Sequence, residues 1–205
     1  MNVRYYMTPA GRSPVEEFVL SLLESTRLEV FDAINRLDSG NSLEMPLSRN
    51  LSSIQSGLHE LRFRDKAGQV RVVYFVKKQV AVYLVHGFWK KTQEIPRKEL
   101  KVILKRLRRF EPMPWKEVTL RQFAKALGAN VSEVREKQRL IDVIVKIRKA
   151  QKLSQAALAK KIGVSQARIA QVESGIGTAR ISFDVLFNIL VALGYDYRVI
   201  TTRAA

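Results

Sequence analysis

Leu153-Ser154-Gln155-Ala156-Ala157-Leu158-Ala159-Lys160-Lys161-Ile162-Gly163-Val164-Ser165-Gln166-Ala167-Arg168-Ile169-Ala170-Gln171-Val172-Glu173-Ser174 decides the fold of the C-terminal part of this chain. Ser154 and Ser165 stand where N-caps open two short helices, and Gly163 permits the tight turn between them. Leu158, Ile162, Val164, Ile169 and Val172 supply a small core that fixes the helices at one angle. Gln166, Ala167, Arg168 and Ala170 then fall at the exposed start of the second helix. An amide pairs with adenine, a guanidinium with guanine, and an alanine methyl meets a thymine methyl, so this pattern fits a DNA major groove.

Working outward, helical signals continue on both sides. Thr119-Leu120-Arg121-Gln122 reads as a capping box before a short helix closed by Gly128. Asn130 caps a longer helix to about residue 150. A last helix runs from Ser182 to Leu193 and stops at Gly194. Tyr195 to Thr201 alternates and is expected to form a terminal strand, an edge able to pair with its copy in a homodimer. Trp115, Val118, Leu120, Phe123 and Leu127 are apolar anchors in the stretch 115–139. Glu111-Pro112-Met113-Pro114 is the boundary, because two prolines remove helix donors and restrict the residues before them.

Ahead of that boundary the order is helix, helix, strands, helix. Ser13-Pro14-Val15-Glu16 joins an N-cap, a first-turn proline and a capping-box glutamate. Val15, Phe18, Val19, Leu22 and Leu23 follow on one face. Thr26 opens a second helix with Leu28, Phe31, Ile34 and Leu37 inward. From Gly57 the period changes to two: Leu61 and Phe63 point one way, Glu60, Arg62 and Arg64 the other. Val70–Val76 and Val80–Val85 are β-branched runs. Pro96 begins a helix with Leu100, Ile103, Leu104 and Leu107 on one face and Lys101, Lys105, Arg106, Arg108 and Arg109 largely on the other.

Composition sets the partners. The net charge is +17, with 36 basic against 19 acidic side chains, and the excess is shared by both parts of the chain. Polyanions are the expected partners, with steep salt dependence. Neither a membrane-spanning run nor a signal-peptide core is present, so no membrane partner is expected. There is no cysteine, so no disulfide framework and no thiolate zinc site. No metal or other cofactor is expected. The expected location is the bacterial cytoplasm, at the nucleoid when DNA is bound.

Two resemblances follow from these motifs. Leu-Ser-Gln from 153, Leu-Ala-x-x-Ile-Gly-Val-Ser from 158, Ile-Ala-x-Val-Glu-Ser-Gly from 169 and Leu-x-x-Ile-Leu-x-Ala-Leu-Gly from 186 resemble the Cro/C1-type (XRE) helix-turn-helix family. That resemblance implies DNA contacts by Gln155, Ser165, Gln166, Ala167, Arg168, Gln171 and Ser174. Gln166, Ala167 and Arg168 would face bases; Gln155, Gln171 and Ser174 would face the backbone. Leu58-x-Glu60-Leu61-Arg62, Arg71-Val72-x-Tyr74 and His86-Gly87-Phe88-x-Lys90-Lys91-Thr92 resemble the RelE/HigB superfamily of toxins, in its phage-derived Gp49-like HigB branch. Members are ribosome-dependent mRNA endonucleases with two helices on a small antiparallel sheet.

Cleaving RNA without a metal requires removing the 2′-hydroxyl proton, neutralising the phosphorane and protonating the leaving oxygen. Here the resemblance implies that Arg62 and Arg71 bind the scissile phosphate, with Arg64 on the substrate backbone. Lys90 and Lys91 would stabilise charge or transfer a proton, His86 has the pKa range for proton transfer, and Phe88 or Trp89 would stack on an extruded base. The basic helix from Arg97 is either a solvated face or a grip on ribosomal RNA.

The expected fold class is therefore α+β. Residues 1–110 form a RelE/HigB-like toxin domain, 111–139 a linker with toxin-neutralising helices, and 140–205 an all-α helix-turn-helix domain. The order suggests a HigB-like toxin fused, naturally or by engineering, to a HigA-like antitoxin that binds operator DNA and represses its own promoter. Neutralisation would work by covering Arg71 and Lys91 or by blocking entry to the ribosomal A site, and would rest on apolar packing because both parts are basic. The alternative is a transcriptional regulator with an inactive RelE-like accessory domain.

Overall fold

The computed structural model describes residues 2–77, 80–90, 94–108 and 115–200. The chain divides into two compact units, residues 1–131 and 132–205.

The first unit is built on a six-stranded sheet in the order β2-β3-β4-β5-β1-β6. The strands are β1 (Asn2–Tyr6), β2 (Ser48–Asn50), β3 (Leu58–Asp65), β4 (Gly68–Lys77), β5 (Ala81–Lys90) and β6 (Trp115–Thr119). Its helices are α1 (Pro14–Leu20), α2 (Glu24–Asp38), α3 (Arg97–Leu107) and α4 (Leu120–Leu127). The expected small antiparallel sheet is larger and mixed: β1 lies parallel to β5, and the other neighbours are antiparallel. Parallel pairing needs a long crossover, and α1, α2 and the β2–β4 strands fill the chain between β1 and β5.

The two faces of the sheet carry different layers. On one, α3 lays Ile103 and Leu107 over Leu58, Val73, Val85 and Phe88. On the other, Phe18 of α1 meets Trp89 edge-on at 5.8 Å, and Phe31 of α2 and Phe123 of α4 gather with Tyr5. Gly87 makes the α1 contact sterically feasible: a Cβ there would lie 2.1 Å from the Phe18 ring. The glycine in the His-Gly-Phe motif is thus required for a helix to lie down on β5.

Residues 115–119 form a strand, where the sequence suggests only helices. They pair over five rungs with β1, Tyr6 facing Trp115. Lys116 reaches Glu16 at 2.7 Å and Glu117 pairs with Arg4. Thr119 then ends the strand and opens α4 with the expected capping box to Gln122. Leu120, Phe123, Ala124 and Leu127 are buried. A second correction concerns Arg106, which is not on the solvent face but buried.

The second unit is helical. It comprises α5 (Val131–Ala150), α6 (Gln155–Ile162), α7 (Gln166–Ser174), a 3-10 turn (Thr178–Arg180) and α8 (Phe183–Ala192). Helix α5 runs without a break through position 139, so the proposed limit between residues 139 and 140 falls inside an element. Ile141, Ile144, Leu158, Ala159, Ile169, Val172, Leu186 and Ile189 form the core. Val164 is exposed, 39%, rather than part of that core. Tyr195–Ile200 form no strand within the single chain, whose second unit has no sheet to receive them. Tyr197 instead stacks on Phe187, centroids 4.1 Å apart and 9° from parallel. Thr201 lies outside the described residues.

Candidate functional site

Strand register gathers most of the candidate side chains of the first unit on one face of the sheet. Arg62 stands opposite Arg71, and Arg64 opposite Gln69. Across β4, Arg71 stands opposite Phe88, Gln69 opposite Lys90, and Val73 opposite His86. Residues directly opposite share a face, so Glu60, Arg62, Arg64, Arg71, His86, Phe88 and Lys90 all lie on the α3 side. Trp89 lies on the other side, and Lys91 is outside the described residues.

Glu60 is the centre of the first cluster and is fully buried. Its Oε1 lies 2.6 Å from Arg71 Nε, 3.5 Å from Lys90 Nζ and 4.0 Å from Arg62 Nε. A buried carboxylate is tolerated only when paired, and here it faces three cations. Arg71 also donates to the carbonyls of Val70 at 2.7 Å and Phe63 at 3.4 Å, and to Gln69 Oε1 at 2.6 Å. Burial depresses the Lys90 ammonium; Arg71 and Arg49 act in the same direction and Glu60 opposes them. Arg71 and Lys90 are almost inaccessible, whereas the Arg62 side chain is 30% exposed. Arg64 is exposed. Toward solvent the cluster therefore presents Arg62 and Arg64, with Arg71 and Lys90 behind them as buried positive charge.

His86 belongs to a second cluster. Its Nε2 is 2.6 Å from Glu99 Oε2 and its Nδ1 3.0 Å from Arg106 Nη1. Arg106 also donates to Val85 O at 2.8 Å and lies over the Tyr6 ring, 4.4 Å from its centroid. Burial lowers the His86 pKa, Arg106 adds to that, and Glu99 opposes it. Both ring nitrogens are thus engaged within the protein. Phe88 stacks on the imidazole at 5.5 Å and is only 5% exposed; it is a core ring rather than an open stacking platform. Trp89, set against Phe18 and α1, lies on the sheet face opposite Arg62.

Outside these clusters, Arg97, Lys98, Lys101 and Lys105 of α3 and its C-cap Arg108 are exposed and give the helix a basic solvent side. Arg109 lies outside the described residues. No group of three or more His, Asp or Glu side chains able to hold a metal occurs among the described residues.

Glu60, Glu99 and Arg106 are the functional-site residues that sequence reading misses. Glu60 shows in the alternation as a companion of Arg62, but nothing local says that Arg71 of β4 and Lys90 of β5 enclose it. Glu99 and Arg106 are seven positions apart, two helical turns, which puts both on one face of α3.

In the second unit, Ser154 and Ser165 cap their helices by accepting from Ala157 N and Arg168 N. Gly163 closes α6 in the left-handed region, φ 71°. Ser165, Gln166 and Ala167 are exposed at the start of α7, Arg168 half so. Gln166 donates to Gln155 Oε1 at 3.1 Å, and Gln155 donates to Glu173 Oε2 at 2.9 Å. Arg148 of α5 grips Glu173 with two nitrogens, so that carboxylate is internal to the fold. Arg168 donates to Gln171 Oε1 at 2.9 Å, and Ser174 Oγ to Gln171 O at 2.6 Å. Hydrogen bonds thus hold Gln155 and Gln166 together across α6 and α7, and Arg168 to Gln171 along α7.

These two units define a bipartite protein: a basic α+β domain followed by a helix-turn-helix domain. Comparison with known families gives each part a description. Residues 17–108 match the family described as "Phage derived protein Gp49-like (DUF891)", and residues 144–200 match the helix-turn-helix family HTH_3. The second match supports DNA binding and transcription regulation, and the pair supports a toxin–antitoxin fusion. No curated protein matches the chain. Among the described residues no helix is long and apolar enough to cross a membrane.

Proposed function

We propose that the chain is a HigB–HigA type toxin–antitoxin fusion. Its first unit is a ribosome-dependent mRNA endonuclease of RelE-like kind, and its second unit binds and represses its own operator as a homodimer. The observation that carries this reading is the placement of Arg62, Arg64, Arg71, His86 and Lys90 on one sheet face beside the basic surface of α3. Arg62 takes the scissile phosphate with Arg64 on the backbone, while Arg71 and Lys90 raise the local positive potential. His86 with Glu99, and Lys91, are the candidates for proton transfer. The α3 cations grip ribosomal RNA.

Neutralisation is assigned to residues 115–131. These extend the sheet through β6 and cover the face opposite the cations through α4. The segment acts without covering Arg71, contrary to the simplest expectation from sequence. Covalent attachment gives it a high effective concentration, so the intact chain is quiet as a nuclease.

The test is expression of residues 1–111 in bacteria. Growth arrest with mRNA cleavage, lost on Arg62→Ala, supports the enzyme. A soluble, folded and harmless fragment removes it. The second reading, a regulator with an inactive accessory domain, is favoured by one observation: Arg71 and both nitrogens of His86 are already occupied within the fold.

A further inference from the structure

The proton position on His86 can be read from its partners. A guanidinium only donates, so the Arg106 Nη1 contact at 3.0 Å requires a lone pair on Nδ1. The ring proton of a neutral imidazole must then sit on Nε2, where it points at Glu99 Oε2, 2.6 Å away. Arg106, which can only donate, and the Glu99 carboxylate, which can only accept, both fix this tautomer.

Three contacts hold Arg106: Val85 O, His86 Nδ1 and the face of the Tyr6 ring. The Tyr6 ring is 93% buried, and its backing is Trp115, which stands opposite it on β6, centroids 6.1 Å apart and rings 84° to one another. Trp115 is itself wedged edge-on against Tyr83 at 5.0 Å and Phe75 at 6.4 Å. Tyr83 and Phe75 are stacked at 4.5 Å, and Arg4, paired with Glu117, lies over Tyr83. The wedge therefore has a rigid wall on one side and the Tyr6–Arg106 pair on the other.

We infer that Trp115 is a positioning residue for His86: through Tyr6 and Arg106 it keeps the imidazole proton on Nε2, directed at Glu99. Trp115 lies beyond the family match, which ends at residue 108. It is also the part of the 115–131 segment that reaches the aromatic cluster beside the His86 site. The segment thus acts on the site from the edge of the sheet by fixing a hydrogen-bond direction. Without the wedge, Tyr6 gains rotational freedom, Arg106 loses its platform, and the Nδ1 acceptor loses its donor.

The inference deepens the assignment of residues 115–131 as the controlling segment and rests on it, but its readout does not need ribosomes. The chain has two histidines, so His59→Gln leaves a single imidazole in the full-length protein, and Glu99→Gln, whose amide can donate as well as accept, leaves Arg106 alone to choose between the ring nitrogens. Long-range proton–nitrogen spectra then report its tautomer directly. In that background the Nε2–H form is expected alone; Trp115→Ala gives averaged nitrogen shifts from mixed tautomers, and Trp115→Phe restores the single form. Arg106→Met, which removes the donor outright, gives the same mixing. Unmoved nitrogen shifts in folded Trp115→Ala overturn the inference, as does a retained Nε2–H form in Arg106→Met. Should Trp115→Ala fail to fold, Trp115→Leu carries the same two outcomes, since it keeps the apolar bulk and removes the ring edge. Absent nuclease activity leaves a positive spectrum standing, and an unmoved spectrum leaves the nuclease reading standing.

Discussion

Arg62 on β3 stands directly across from Arg71 on β4, two like charges on one rung of the sheet, with the buried carboxylate of Glu60 within 4.0 Å of both. Like charges facing one another across strands destabilise a sheet. The fold accepts the pair because Glu60 is inside it.

That dependence gives the first prediction. Glu60→Gln keeps the shape but leaves Arg71 and Lys90 without their counter-ion. Removing one partner of a buried ion pair costs about 3–5 kcal/mol, and the denaturation midpoint of the first unit in urea should fall accordingly. An unchanged midpoint would show that Glu60 carries no structural charge balance.

Acid should loosen the first unit through its histidines. Burial lowers the pKa of both His86 and His59 below the ordinary 6.5. A depressed folded pKa means the folded state prefers neutral imidazole. The stabilisation is present above 6.5 and is lost as pH falls toward the folded values. Unfolding free energy measured from pH 7.5 to 5 should decline, and His86→Gln should flatten the part due to that ring. A curve that keeps its full slope in His86→Gln would place the proton uptake elsewhere.

A methyl group at position 87 should be costly. Gly87→Ala puts carbon 2.1 Å from the Phe18 ring, and α1 must move off β5. Overpacking of this kind costs about 1–3 kcal/mol. Phe18→Leu, which removes the obstructing ring, should recover part of the loss in the double variant, and a thermal melt of the four proteins closes that cycle.

In the second unit the amides of α7 should carry sequence preference and the caps stability. Gln166→Ala and Arg168→Ala should each lower discrimination between the upstream promoter and scrambled duplex by about 1–3 kcal/mol. Ser165→Ala should leave the preference intact and cost about 1 kcal/mol of folding stability. Fluorescence anisotropy on both duplexes separates the two effects, and retained discrimination in both α7 variants would reassign the reading face.

What was legible follows from how local each signal is. Serine caps, Gly163 and the apolar spacing of residues 153–174 lie within a few turns, and α6 and α7 form as those residues suggest. The alternation at Glu60–Arg64 correctly divides the two faces of β3. By contrast β1 and β6 are five residues each and pair across more than a hundred positions, so nothing near Tyr6 names Trp115 as its neighbour. The burial of Arg106 is equally non-local. A cation in an otherwise polar helix face reads as solvated until Val85 O and the Tyr6 ring are brought beneath it. The terminal alternation at Tyr195–Ile200 fails for the converse reason: strand pattern is present but the unit has no sheet to receive it.

Strand β6 also decides how the chain tolerates being cut. It covers the outer hydrogen-bonding edge of β1, and α4 seals Tyr5 and Phe31 with Phe123. A truncation ahead of Trp115 bares five rungs of unpaired backbone next to an open aromatic patch, the kind of edge on which identical chains stack. The residues proposed above to neutralise the first unit would therefore also protect it from self-aggregation. A harmless truncated fragment is informative only when it is recovered from the soluble fraction, and one supplied with residues 115–131 as a separate peptide should stay there.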